Sequence, residues 1–157
     1  MEITLRAFQD ADFETLWKID QACFEPGIAY SRPELLTYVH LARAATIVAE
    51  DVEAGKILGF IVAHASRKGL GHIITIDVLP EAQRLKVGSR LLLSAEAWMR
   101  AKQCSKSYLE TAVDNLSALA FYRRHDYFPL KTLPRYYSNG VDAYVLQKDL
   151  LSSAQAS

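Results

Sequence analysis

Ile76-Asp77-Val78-Leu79-Pro80-Glu81-Ala82-Gln83-Arg84-Leu85-Lys86-Val87-Gly88-Ser89-Arg90-Leu91-Leu92 passes from an apolar run, through a proline stop and a basic polar segment, into a helical spacing. The residues leading into it, from Gly71, are rich in β-branched side chains and read as a strand that Pro80 ends. Beyond Gly88, Leu91, Leu92, Ala95 and Trp98 share one helical face, which predicts a helix from Ser89 to about Lys102. A strand entering a helix through such a loop leaves unpaired amides and the positive end of the helix dipole at the junction. That combination binds phosphate or pyrophosphate. Arg84 and Lys86 add positive charge. The segment is neither a GxxxxGK[ST] loop nor a GxGxxG turn.

Upstream, Ile3 to Phe8 alternates as a first strand, and Asp10 is placed to cap a helix carrying Phe13, Leu16, Trp17, Ile19 and Cys23. Ser31-Arg32-Pro33-Glu34 is a capping box that starts a second helix. Strands follow at Ala45 to Glu50 and Ile57 to Ala65, with Gly59 marking a bulge. Downstream, Lys106 to Glu110 begins a strand, and Asp114 or Asn115 caps a short helix through Tyr122. Tyr127 to Leu130 starts another strand, Asn139-Gly140 is a turn, and Val141 to Leu146 closes the series. The order β-α-α-β-β-β-α-β-α-β-β predicts an α/β chain with a mixed sheet. Residues 1–150 are expected to form one domain, with 151–157 a short C-terminal tail.

The 157 residues hold 50% hydrophobic and 23% charged side chains, a globular balance. Lys plus Arg number 18 and Asp plus Glu number 18, so no basic footprint calls for nucleic acid. Cys23 and Cys104 show no metal-ligand spacing and are expected as reduced thiols of a cytoplasmic protein that needs no metal. No apolar run approaches the ~20 residues of a membrane span, and no signal peptide is expected at the start.

The opening segment resembles the acyl-coenzyme A motif of the GNAT superfamily of N-acetyltransferases, V-x-P-x-x-[QR]-x-x-G-x-[GA], with Lys86 standing at its first glycine. Leu109 to Asn115 and Ala118 to Tyr122 resemble the family's following strand and helix, and Arg135-Tyr136-Tyr137, Gly140, Asp142-Ala143 and Lys148-Asp149-Leu150 resemble the branch that acetylates protein N-termini, including the ribosomal-protein alanine acetyltransferases. The resemblance implies a single GNAT-like domain whose mixed, mostly antiparallel sheet splays between strands 4 and 5. It implies acetyl-coenzyme A as co-substrate, with main-chain groups of Ile76, Asp77 and Val78 along the pantetheine arm. Amides of Gln83, Arg84, Leu85, Lys86, Val87, Gly88 and Ser89 would hold the pyrophosphate, and Asn115 would lie near the pantetheine. Glu110 becomes the general base and Tyr122 the general acid for the departing thiolate. Tyr30, Tyr136 and Tyr137 line the acceptor, their rings packing on peptide.

A lysine at the motif's first glycine costs about 1–2 kcal/mol if the position needs φ > 0. A peptide α-amine is the preferred acceptor, because its pKa of about 7.7–8.0 against about 10.4 for a lysine makes deprotonation roughly 3 kcal/mol easier. The implied partner is a protein or peptide N-terminus, a ribosomal protein among them. The competing readings are a small-molecule amine or amino-acid acetyltransferase, and a coenzyme A-binding module without turnover.

Overall fold

The computed structural model describes residues 1–151. Seven strands form one sheet: β1 (Ile3–Ala7), β2 (Ala44–Asp51), β3 (Lys56–Ala65), β4 (Leu70–Val78), β5 (Lys106–Ala112), β6 (Phe128–Leu133) and β7 (Ala143–Asp149), in the order β1-β2-β3-β4-β5-β7-β6. Every neighbouring pair is antiparallel except β4–β5, which is parallel. The mixed sheet and the element order therefore match the expectation. All but the first residue of the expected tail lies outside the described residues.

α1 (Phe13–Cys23) and α2 (Arg32–Val39) cover one face, where Phe13, Leu16, Ile19 and Leu35 pack on Val48, Phe60 and Val62. α3 (Val87–Ala101) and α4 (Leu116–Arg124) cover the other, where Leu91, Leu92, Ala95 and Met99 meet Ile61, Ala63, Ile73 and Leu109. Beneath α3, Glu96 is fully buried, yet satisfied by Lys148 Nζ at 2.9 Å and the Tyr127 hydroxyl at 2.8 Å. A buried carboxylate persists only when paired and hydrogen-bonded in this way.

Three local details differ from the sequence reading. Asp10 does not cap α1. A short 3₁₀ turn, Asp10–Asp12, leads into the helix, and Asp12 Oδ2 accepts from Gln9 N at 2.8 Å. Arg6 grips both oxygens of Asp12, at 2.8 and 3.0 Å, and holds that carboxyl below its usual range, so the anchor is Asp12. The basic loop is not irregular either: Pro80–Leu85 is a 3₁₀ turn that buries Ala82, and α3 begins two residues earlier than expected, at Val87. The bulge beside Gly59 does occur, with the register shifting between Ala49 and Glu50.

Candidate active site

β4 and β5 pair only at Leu70, Gly71 and His72, opposite Lys106, Ser107 and Tyr108, and then diverge. Leu79 N donates to Leu58 O on the β3 side. Main-chain direction alternates along a strand, so Val78 and Ile76 turn their N–H and C=O groups into the gap on the opposite side. The Val78 carbonyl accepts from Cys23 Sγ at 3.3 Å and Gln83 Nε2 at 3.4 Å. Gly59 permits this geometry. A Cβ there would lie 2.5 Å from Asp77 O.

The α3 end of the gap is built from main chain. Arg90 N–H donates to Lys86 O, the first bond of the helix, which leaves the amides of Val87, Gly88 and Ser89 without intrahelical partners. Lys86 takes φ 60, ψ 23, the left-handed region, so the position does require what glycine adopts freely. Lys86, Arg84 and Leu85 are exposed. Arg90 is spent on Ile3 O at 3.0 Å, and Ser89 Oγ is tied to His125 Nε2 at 2.9 Å. Gly88 sits under α4, where a Cβ would be 3.4 Å from the Phe121 ring.

Glu110 lies on the β5 side of the gap, its side chain only 15% exposed. Its Oε1 is 2.7 Å from His72 Nε2 on β4, and the His72 ring stacks on Tyr108 at 4.4 Å with 3° between planes. With Nε2–H donating, the imidazole orients the carboxylate and leaves Oε2 without a partner among the described residues. A cavity of about 150 Å³ opens over this pair, lined by Tyr30, Tyr38, Leu41, His64, His72, Ile74, Glu110 and Tyr136. The loop after α1 and the loop before β7 are joined by hydrogen bonds. Ser138 N and Oγ both donate to Gly27 O, at 3.2 and 2.9 Å, and Asn139 Nδ2 donates to Glu25 Oε1 at 3.0 Å. Gly27 has φ +92, and a Cβ there would strike Asn139 Cβ at 2.7 Å.

Tyr30 walls the cavity, but its hydroxyl is committed to Ile74 O at 3.1 Å, and its ring stands edge-on to Tyr38. Tyr136 lines the same cavity, edge-on to Tyr137 at 4.9 Å. Tyr137 is half-buried beside Tyr136 and Glu110, and burial raises its phenol. Tyr122 on α4 is buried edge-on to Phe121 and Tyr127. Burial, with Asp77 and Tyr137 as neighbours, holds its proton more firmly than usual. Asn115 Oδ1 caps α4, accepting from Ala118 N at 3.2 Å. The structure thus brings Glu110, Tyr136 and Tyr30 to one cavity, with Tyr137 near Tyr136 and Glu110, and Tyr122 near Tyr137 and Asp77. Asn115, Arg84 and the Ser89 hydroxyl are engaged elsewhere or face solvent.

Sequence reasoning missed His72, although a lone histidine in a β-branched strand is a visible signal. Its partnership with Glu110 depends on a parallel register that no local pattern encodes. A larger cleft of about 440 Å³ between α1 and the β2–β3 turn carries Arg6, Asp12, Glu50 and Lys56. Those charges are spent on one another or on Glu81, and the cleft holds no comparable acid and base.

The model of the acetyltransferase (GNAT) family matches residues 13–127. An uncharacterised N-acetyltransferase of Methanocaldococcus jannaschii is 30% identical over 145 residues, spanning 92% of this chain and 90% of that one. An N-alpha-acetyltransferase of Sulfurisphaera tokodaii is 35% identical over 81 residues, 51% of this chain and 48% of that protein, so the match spans about half of that relative. Among solved structures, Ard1 from Thermoplasma volcanium superposes with a TM-score of 0.87 at 26% identity, over 95% of this chain and 98% of that one.

Proposed function

The chain belongs to the GNAT family of acetyltransferases and is an acetyl-coenzyme A-dependent N-acetyltransferase, and we propose that its acceptor is the N-terminal α-amine of a protein or peptide. The observation that carries this reading is the Glu110–His72 pair at the floor of a small, tyrosine-walled cavity. At about 150 Å³ the cavity falls below the 300–1,000 Å³ of pockets that enclose a whole small ligand. A site of that size takes the tip of an acceptor and leaves the rest outside, as the end of a chain requires. The relative named N-alpha-acetyltransferase supports the same acceptor.

The chain's groups fit the donor. The Ile76–Val78 edge, not paired with β5, offers the Ile76 amide and carbonyl and the Val78 amide to an extended amide-bearing arm, and the first turn of α3 offers free amides and the dipole's positive end to pyrophosphate. Acetyl-coenzyme A supplies an acetyl group activated as a thioester. Glu110 Oε2 accepts the proton that the ammonium must lose before attack, while His72 fixes the carboxylate through Oε1. The Val78 amide donates to the carbonyl oxygen as negative charge grows there. Tyr122 retains its proton until the thiolate departs and then delivers it. Tyr30 and Tyr136 confine the acceptor, and reduced Cys23 and Cys104 suit work in the cytoplasm.

The test is turnover against a peptide panel that differs only at the first residue and its amine, with free amino acids and polyamines assayed alongside. Acetylation confined to free α-amines supports the reading. Transfer to free amino acids or polyamines with peptides ignored overturns it.

A further inference from the structure

α1 and β4 meet at two carboxyl groups with no cation between them. Asp20 is fully buried and Asp77 is 1% exposed. Asp20 Oδ2 accepts from Tyr30 N at 2.7 Å, and Asp77 Oδ1 accepts from the Thr75 hydroxyl at 2.5 Å. Each carboxyl therefore has one satisfied oxygen. The other two, Asp20 Oδ1 and Asp77 Oδ2, have no hydrogen-bond partner among the described residues, and Asp20 lies near enough to raise the Asp77 carboxyl. Among the described residues no Lys, Arg or His pairs with either one. The titratable groups facing them are Cys23 on α1, Tyr30 in the loop after it and Tyr122 on α4. All three stay neutral at pH 7: burial pushes the Cys23 thiol up to about 12 and raises both phenols further.

Two buried negative charges in contact, without a cation, are not sustainable. One proton between the orphaned oxygens satisfies both at once, as in other carboxyl dyads. We propose that Asp20 and Asp77 share a proton, and that the resulting O–H···O bond clamps the segment carrying Tyr30 to the end of β4. Asp77 adjoins Val78, and Tyr30 also bonds the Ile74 carbonyl, so the clamp sets the distance between the cavity wall and the gap. That consequence for acceptor positioning rests on the proposed function. The proton and the clamp do not.

The sign of the pH effect follows. The native pair binds a proton that the unfolded chain releases above about pH 4. Desolvation and the Asp20 neighbour raise Asp77 well above its ordinary value. This contribution to stability is complete below the ordinary carboxylate range and is lost as pH rises through the native pair's own value.

Asp20→Asn places an amide N–H where the proton sits. Its carbonyl accepts from Tyr30 N and its Nδ2 donates to Asp77. Urea unfolding of wild type and Asp20→Asn between about pH 5 and 8 is the test. The folding constant of the variant relative to wild type should rise by up to tenfold per pH unit while the native pair holds its proton. A flat ratio overturns the shared proton. Should Asp20→Asn fail to fold, the infrared carbonyl band of a protonated carboxylic acid in wild type at pH 7 decides the same point, and its absence overturns the proposal. For the clamp, hydrogen exchange at Ile28 and Ala29, which both bond Glu25 O, is read in Asp20→Ala. Exchange at least tenfold faster than wild type supports the clamp, and unchanged protection overturns it. Neither readout needs turnover, so a wrong acceptor leaves them intact.

Discussion

Lys86→Gly isolates the cost of the residue that departs from the family motif. Lys86 sits at φ 60, ψ 23 with its side chain exposed and no capping bond. A non-glycine residue in this region costs about 1–2 kcal/mol. Glycine removes that strain but adds unfolded-chain entropy worth about 0.4–1 kcal/mol. The difference predicts a net gain of about 0.8 kcal/mol, with limits of roughly 0 and 1.6. For a chain of this size that is a rise in Tm of about 2–3 °C, measurable by differential scanning calorimetry. Titration calorimetry with acetyl-coenzyme A then separates backbone from side chain. If amides alone hold the pyrophosphate, Kd stays the same or improves, because their geometry is unchanged. A Kd that weakens by about tenfold or more, about 1.4 kcal/mol, would show that the ammonium itself meets phosphate and would refute the main-chain account.

Other perturbations probe the rest of the gap. Glu110→Gln should depress turnover most near neutral pH and recover in part by about pH 9.5, since the α-amine deprotonates unaided above its pKa of about 8; a pH-rate profile with a constant deficit argues against the base. Tyr122→Phe keeps the ring against Phe121 and Tyr127, so kcat should fall by roughly 10²- to 10⁴-fold with Tm nearly unchanged. Near-normal kcat would mean that the thiolate leaves without that acid. Gly59→Ala puts a methyl 2.5 Å from Asp77 O and should cost about 1–3 kcal/mol in urea unfolding, together with weaker acetyl-coenzyme A binding. An unperturbed variant would mean that β3 does not set the end of β4.

Periodicity and punctuation reach far into this fold because each element announces itself locally. Ser31 and Glu34 form the capping box the spelling implies, and Asn115 caps α4 as expected. Lys86 signalled its own strain by occupying a glycine position, and its backbone is indeed left-handed. What sequence could not supply is register and partnership over distance. His72 and Glu110 are 38 residues apart and meet only because β4 and β5 pair in parallel for three residues before parting. Ser138 and Gly27 are separated by 111 residues, yet a hydrogen bond joins their loops. Asp77 was legible as a residue of the cofactor strand, but its side chain turns to α1 and Asp20, an orientation set by the bulge at Ile74. β3 pairs Val62 with Thr75 and Ala63 with Ile73, leaving Ile74 as the extra residue. Asp10 lost the capping role because Arg6, from β1, selects Asp12.

The central claim concerns which amine accepts the acetyl group over the Glu110–His72 pair. Two peptides of one sequence decide it: one with a free α-amine and no lysine, the other N-terminally blocked with a single internal lysine. Each is incubated with acetyl-coenzyme A and enzyme near pH 7.5, and mass spectrometry follows acetyl incorporation. The account predicts one acetyl group on the first peptide, none on the second, and a much slower first reaction with Glu110→Gln. Acetylation of the blocked lysine peptide in preference to the free α-amine, or equal rates for wild type and Glu110→Gln, would contradict it.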